Sequence, residues 1–151
     1  MPKYSKKSLS KLITCHYDLI ILFNEVIKKY DNSILEGART TERQQQLFSQ
    51  NRSKLDGITK ISKHQITENR KKSLAVDSCP YPIDWKKLDK KDKYEYYRFY
   101  HYIGYVKAIA DKLYDEGKMS YKIRCGADWD GDNDFKDQNF HDLPHFELIK
   151  N

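Results

Sequence analysis

At 151 residues the chain has the length of one ordinary domain, large enough for a real core and too short for two comfortable ones. Charged residues make up 33%, hydrophobic ones 38% and aromatics 13%, an aromatic share that argues against a disordered chain despite a mean hydropathy of -0.90. The net charge of +6 attracts polyanions, yet the lysines are spread along the chain instead of clustered in one arm, which argues against a nucleic-acid module.

From Ser8 to Lys29 the apolar residues Leu9, Leu12, Ile13, Leu19, Leu22, Phe23, Val26 and Ile27 recur at a spacing that predicts amphipathic helix, in one or two pieces. The apolar run Leu19–Phe23 is short, with Asp18 before it and Asn24-Glu25 after it. No signal peptide is predicted there, and no stretch approaches a membrane span. Asp31-Asn32-Ser33 breaks the helix, and Ile34 to Arg39 reads as a short strand. Thr40 or Thr41 then opens a helix over Glu42–Gln50. Arg39, at the strand's end, is a planar and permanently charged fork suited to an oxyanion or a carboxylate, with Glu36 or Glu42 as the ion-pair alternative.

Residues 51–73 form a long loop, the kind of segment that often carries function, and Ser62-Lys63-His64 lies within it. Leu74-Ala75-Val76-Asp77 is strand-like. Tyr81-Pro82-Ile83-Asp84-Trp85 is a turn whose aromatics either wall a cleft or pack in the core. Leu88 to Gly117 is predicted as mostly one long helix stopped by Gly117, with His101 packed or solvated instead of ligating. Tyr121 to Cys125 alternates like a strand. Cys15, Cys79 and Cys125 cannot complete a disulfide framework and lack CxxC spacing, so buried reduced thiols and a reducing cytosol are expected.

The acidic loop that follows alternates Asp128, Asp130, Asp132 and Asp134 like the opening of an EF-hand. Its glycine is misplaced, at Gly131, and Asn139 stands where the closing Glu belongs. The choice is therefore between a Ca2+ site in Asp128–Asp134 and a solvated acidic loop with Trp129 packed beneath. Asp142-Leu-Pro-His145 reads as a turn stiffened by Pro144 that leads into a last strand near 145–149. Such a turn can aim His145 inwards as a metal ligand while Asp142 reaches over the same spot as a proton carrier. With His64 and Asp77 upstream, two imidazoles and one carboxylate leave a fourth position open, the arrangement of catalytic zinc.

Glu36-Gly37-Ala38-Arg39-Thr40, Ser62-x-His64, Ala75-x-Asp77, Tyr81-Pro82-Ile83-Asp84-Trp85, Gly126-x-Asp128-Trp129-Asp130 and Asp142-x-x-His145-Phe146-Glu147-Leu148 follow one another in that order. Together this set resembles the zinc peptidases that cut peptidoglycan stems: the D-alanyl-D-alanine carboxypeptidases and L-alanyl-D-glutamate endopeptidases, in particular the single-domain phage endolysins. The expected fold is α+β, a small antiparallel sheet of strands near 34–38, 74–78, 121–125 and 145–149 packed against helices. The zinc cleft lies on the sheet, as in Hedgehog/D-Ala-D-Ala peptidase-like folds. The resemblance implies one catalytic zinc on His64, Asp77 and His145, Asp142 as general base and acid, and Arg39 polarising the scissile carbonyl.

The implied substrate is the L-alanyl-D-glutamate bond of the bacterial stem peptide. A D-alanyl-D-alanine carboxypeptidase is the alternative, and a basic binding module of the same fold is the non-enzymatic one. Also implied are one peptidase domain over 1–151 without a separate wall-binding domain, a monomer, and synthesis in the cytoplasm of an infected host with holin-dependent release to the wall. Neither a nucleic-acid partner nor membrane insertion is expected. The family's pattern is Ser-x-His-x-x-Gly-x-Ala-x-Asp, whereas His64 and Asp77 stand thirteen positions apart, with Ser73 in place of the glycine. The added residues among Ile66–Lys72 are expected to bulge outwards, and Glu68 is the alternative carboxylate to Asp77.

Overall fold

The computed structural model describes residues 1–150. The helical stretch expected over 8–29 in one or two pieces is two helices, α1 (Lys6–Leu12) and α2 (Tyr17–Val26). Between them the backbone pairs with a distant segment. His16 donates its N–H to the Ser73 carbonyl at 2.8 Å, and Ser73 donates to the Thr14 carbonyl at 3.0 Å. A continuous helix would have consumed those groups internally, so the break is the condition for the pairing. His16 Nδ1 then accepts the Asp18 N–H and caps α2.

Strand β1 is Asn32–Glu36, two residues earlier than the sequence suggests, because the chain must turn beneath α1 at Gly37. A Cβ there would stand 2.3 Å from the Lys11 carbonyl oxygen, so no other residue fits. Helix α3 (Thr41–Ser49) is capped by the Thr40 hydroxyl, which accepts the Arg43 N–H. After the long loop come β2 (Ala75–Pro80), the short α4 (Trp85–Asp89) and α5 (Lys93–Asp115). The predicted single helix over 88–117 is interrupted where Lys91 takes a φ of 58° and Asp92 recaps the chain by accepting the Tyr94 and Glu95 N–H groups. Gly117 ends α5 with a φ of 69°, as its position in the sequence predicts. The chain closes with β3 (Lys122–Gly126) and β4 (Asp142–Ile149).

The four strands form one antiparallel sheet in the order β1-β2-β4-β3, so the fold is the expected α+β arrangement with β4 inside the sheet. Alternation decides what each face carries. Val76 on β2 and Phe146 and Leu148 on β4 are buried in the core with Phe23 of α2 and Tyr102 and Ile103 of α5. Phe146 meets the Phe23 ring at 5.7 Å and the Tyr102 ring at 6.2 Å, both edge-on. The fully buried Tyr102 hydroxyl is satisfied by Ser78 Oγ at 2.6 Å. Cys15, Cys79 and Cys125 are free and buried, and burial pushes the Cys15 thiol up to about 12 and Cys79 to about 11. Tyr81 and Trp85 are exposed and belong neither to the core nor to the cleft, which corrects both readings of that turn. Among the described residues no helix is long and apolar enough to cross a membrane.

A turn over Asp142–Pro144 is replaced by strand, because β4 already begins at Asp142. Proline survives inside the sheet because the register against β3 jumps there, from Cys125↔Phe146 to Gly126↔Asp142. The jump brings Gly126 so close that a Cβ would lie 2.2 Å from the Asp142 carbonyl oxygen. Gly126→Ala must therefore push the start of β4 aside. A loss of about 1–3 kcal/mol in urea unfolding is expected, with displaced Asp142 resonances in an NMR spectrum. An unshifted spectrum would contradict this account of the bulge.

Candidate active site

On the face of the sheet opposite the core, the same period of two presents Asp77 from β2 and His145 and Glu147 from β4. The ladder pairs Asp77 directly with His145. His64 arrives from the long loop, fastened as an extra rung beyond β1. Its carbonyl accepts the Arg39 N–H at 2.8 Å, and Ile66 donates to the Arg39 carbonyl at 2.9 Å. Leu74 donates to the Lys63 carbonyl at 2.9 Å and closes the loop at its base. The added residues therefore bulge outside this closure without shifting His64 against Asp77. Thr67 and Arg70 exchange backbone hydrogen bonds, and the Arg70 guanidinium folds back onto the Gln65 and Ser62 carbonyls. Glu68, exposed on this bulge, is not the third member of the cluster; Asp77 is.

Three atoms converge. His64 Nε2 lies 3.1 Å from Asp77 Oδ1 and 3.3 Å from His145 Nδ1, which in turn is 3.3 Å from Asp77 Oδ1. Four ligands at zinc distances and tetrahedral angles stand roughly 3.3 Å from one another, so these atoms have the spacing of one face of such a tetrahedron. The remaining ring nitrogens are occupied from behind. His64 Nδ1 is 2.8 Å from the Gly37 carbonyl oxygen, and His145 Nε2 is 2.9 Å from Glu147 Oε2. Both partners accept hydrogen bonds, so each sets the tautomer that turns a lone pair towards Asp77. The cluster suits a divalent metal, which would take the lone pairs that neutral His64 and His145 turn towards Asp77.

The electrostatics follow from this crowding. Burial disfavours charge on His145, but hydrogen bonds to Asp77 and Glu147 push its pKa up to about 9. Burial likewise works against the Asp77 carboxylate, yet the two imidazoles hold it well below the usual carboxylate range. Glu147 is also held low, against its burial, by His145 and Arg124, whose Nε lies 2.7 Å away. Asp142 moves the other way: burial first, then the neighbouring charge of Asp77, raise it. Asp142, Arg39 and the three converging residues all line one cavity of about 750 Å³.

Arg39 is more committed than its assigned role requires. It makes the ion pair weighed as the alternative, with Nε 3.1 Å and Nη2 2.5 Å from the Glu36 carboxylate, while Nη1 donates to Gln44 at 2.7 Å. One N–H on each terminal nitrogen is left over. Trp129 is not simply packed beneath the acidic loop. Its ring stacks on Phe140, tilts against His145 at 5.4 Å and walls the cavity. In the loop itself, Asp128, Asp130 and Asp132 bring one oxygen each within 4.8 Å of one another, but Asp134 is not in the group. Lys107 Nζ already sits 2.7 Å from Asp128, and the Gly131 and Asn133 amides also point at that carboxylate. His101 contacts Tyr30 and His141 contacts Tyr100, both away from the cluster.

Two participants lacked a role in the sequence reading. Glu147 could have been found, because an acid two residues after a ligand in a strand must share its face. Trp129 could not, since only the fold brings the acidic loop over β4.

The sequence matches the model of a family described as phage L-alanyl-D-glutamate peptidase over residues 1–149. The structure is similar to that of the Serratia marcescens L-Ala D-Glu endopeptidase ChiX, with a TM-score of 0.63 and 19% identity over 97% of this chain and 90% of that one. At this identity the likeness concerns the fold. No match was found among curated proteins.

Proposed function

Because the chain belongs to the phage L-alanyl-D-glutamate peptidase family, we propose that it is a zinc-dependent peptidase that hydrolyses the L-alanyl-D-glutamate bond of peptidoglycan stem peptides. The observation that carries the reading is the triangle of His64 Nε2, Asp77 Oδ1 and His145 Nδ1, at separations of 3.1, 3.3 and 3.3 Å, with each imidazole fixed from behind. Zinc held there supplies a Lewis acid able to acidify water and polarise a carbonyl.

The residues around it divide the remaining work. Asp142, poised in its proton affinity by burial, takes a proton from the attacking water and returns it to the leaving amine. Arg39, steadied by Glu36 and Gln44, turns its two remaining N–H groups to the oxygen that gains charge. Trp129 and Phe140 wall the cavity and limit the water that reaches the bond.

Mass spectrometry of purified peptidoglycan, digested with zinc and with chelator, tests this. New L-Ala carboxyl ends and D-Glu amino ends appearing only with zinc are expected. Loss of terminal D-Ala alone would mean a carboxypeptidase, and unchanged muropeptides from a folded, zinc-loaded sample would leave a binding module. Glu147→Gln offers a second check. It keeps the shape but removes the acceptor charge behind His145, and should weaken zinc binding about 10–100-fold in competition with a chromogenic chelator.

A further inference from the structure

We propose that a cationic pocket beyond Glu147 receives a carboxylate on the substrate's third stem residue, so that this chain prefers stems whose third side chain ends in a carboxylate to stems with lysine. The inference rests on the peptidase reading above and specifies which wall chemistry the cleft accepts.

The pocket, about 500 Å³, lies where β4 runs out and is lined by Lys63, Leu74, Tyr121, Arg124, Leu148 and Lys150 among others. Lys63 and Arg124 also line the active-site cavity, so the two spaces adjoin at these side chains, over which an extended chain would have to pass. Three cations face this pocket, and no carboxylate among the described residues lines it. Arg124 spends Nε on Glu147 and Nη1 on the Trp129 carbonyl, leaving Nη2. Lys63 Nζ reaches only a carbonyl, that of Leu148 at 3.3 Å, and neither Lys63 nor Lys150 has an ion-pair partner among the described residues. Leu74 and Leu148 lend the site an apolar wall, which strengthens any charge pairing made against it.

Length and charge agree. Ile149 is four residues along β4 from His145, roughly 13 Å at the rise of a strand. A peptide lying extended from the metal triangle covers about 7 Å in two residues, and a long side chain supplies the rest. On the alanine side of the cut the stem continues into neutral sugar, whereas the glutamate side carries the carboxylates. The meso-diaminopimelate side chain brings its ammonium together with a carboxylate that these cations can pair, whereas lysine brings an ammonium alone, which meets only like charge.

The test uses N-acetyl-L-alanyl-γ-D-glutamyl peptides ending in meso-diaminopimelate, in the same residue with its side-chain carboxylate amidated, or in lysine. Two quantities are read: kcat/KM with zinc-loaded protein, and calorimetric affinity for zinc-loaded Asp142→Asn protein, which needs no turnover. Wild-type selectivity of about 10-fold or more for the free acid over both other peptides is expected, collapsing to within about threefold in Lys63→Gln/Lys150→Gln. Lys150→Gln alone, on an exposed side chain, should lower the ratio partway and covers the case in which the double variant does not fold.

A wild-type ratio near one, or a ratio that survives in the variants, overturns the pocket. Selective binding without hydrolysis of any peptide would sink the peptidase reading and leave the pocket standing. Hydrolysis without selectivity does the reverse, and absence of binding by all three peptides removes both.

Discussion

Asp142→Asn is expected to lower kcat by about 10²–10⁴ while zinc stays bound at full stoichiometry. Asparagine has nearly the volume of aspartate, so the tight approach of Gly126 to the Asp142 backbone is kept and β4 need not move. What disappears is a group that can hold a proton. Burial and the charge of Asp77 raise the Asp142 carboxyl above its ordinary value, moving it towards the range in which a base can also serve as an acid. None of the three converging ligand atoms belongs to Asp142, so metal content measured by plasma mass spectrometry should match the wild type. Activity within tenfold of wild type would remove Asp142 from the proton pathway. Lost metal would instead make it part of the binding set.

Stripped of metal, the protein should become less stable as pH rises from 6.5 to 9, by about 3 kcal/mol. The sign comes from His145. Its pKa lies at about 9 in the fold against 6.5 unperturbed, so the folded state holds a proton that the unfolded chain releases. The stabilisation is complete below 6.5 and is lost as pH climbs through 9. Asp77 acts at the other end: held low in the fold, it stabilises above its ordinary 3.8 and ceases to do so on acidification. The metal-free protein is thus most stable between these limits.

Zinc reverses the upper slope, because it requires the neutral ring that a proton would otherwise occupy, and its apparent affinity should rise about tenfold per pH unit until His145 is deprotonated. Urea unfolding in chelator at several pH values, repeated with His145→Asn, measures the effect. A flat profile in the wild type, or an unchanged slope in the variant, would contradict a proton shared within the cluster.

Much of this protein is legible from local chemistry. The alternation around Ala75-Val76-Asp77 and His145-Phe146-Glu147 separates core from cleft, since a strand sends neighbouring side chains to opposite faces. Gly117 as a helix stop and the helix opened by Thr40 follow from backbone freedom and from hydroxyl capping, both of which act within a few residues. What local chemistry left open or misread lies where a distant segment intervened. The residues of 8–29 allow one helix or two, and the fold makes two so that Thr14 and His16 can bond Ser73. Pro144 reads locally as a turn, and becomes strand because β3 skips that part of β4.

The candidate site divides in the same way. Residue type and order alone nominate His64, Asp77, His145 and Asp142, because few side chains can ligate a divalent cation or carry a proton, and these occur in the sequence of a known family. Whether thirteen positions between His64 and Asp77 would spoil the pair could not be read locally. It was decided by the Lys63–Leu74 hydrogen bond that closes the excursion. The commitment of Arg39 to Glu36, the place of Trp129 against His145 and the cationic end of the cleft are likewise tertiary facts. Composition and periodicity determine which groups are available and which face each one takes. Only long-range backbone pairing sets the separations of about 3 Å on which ligation, proton transfer and charge recognition depend.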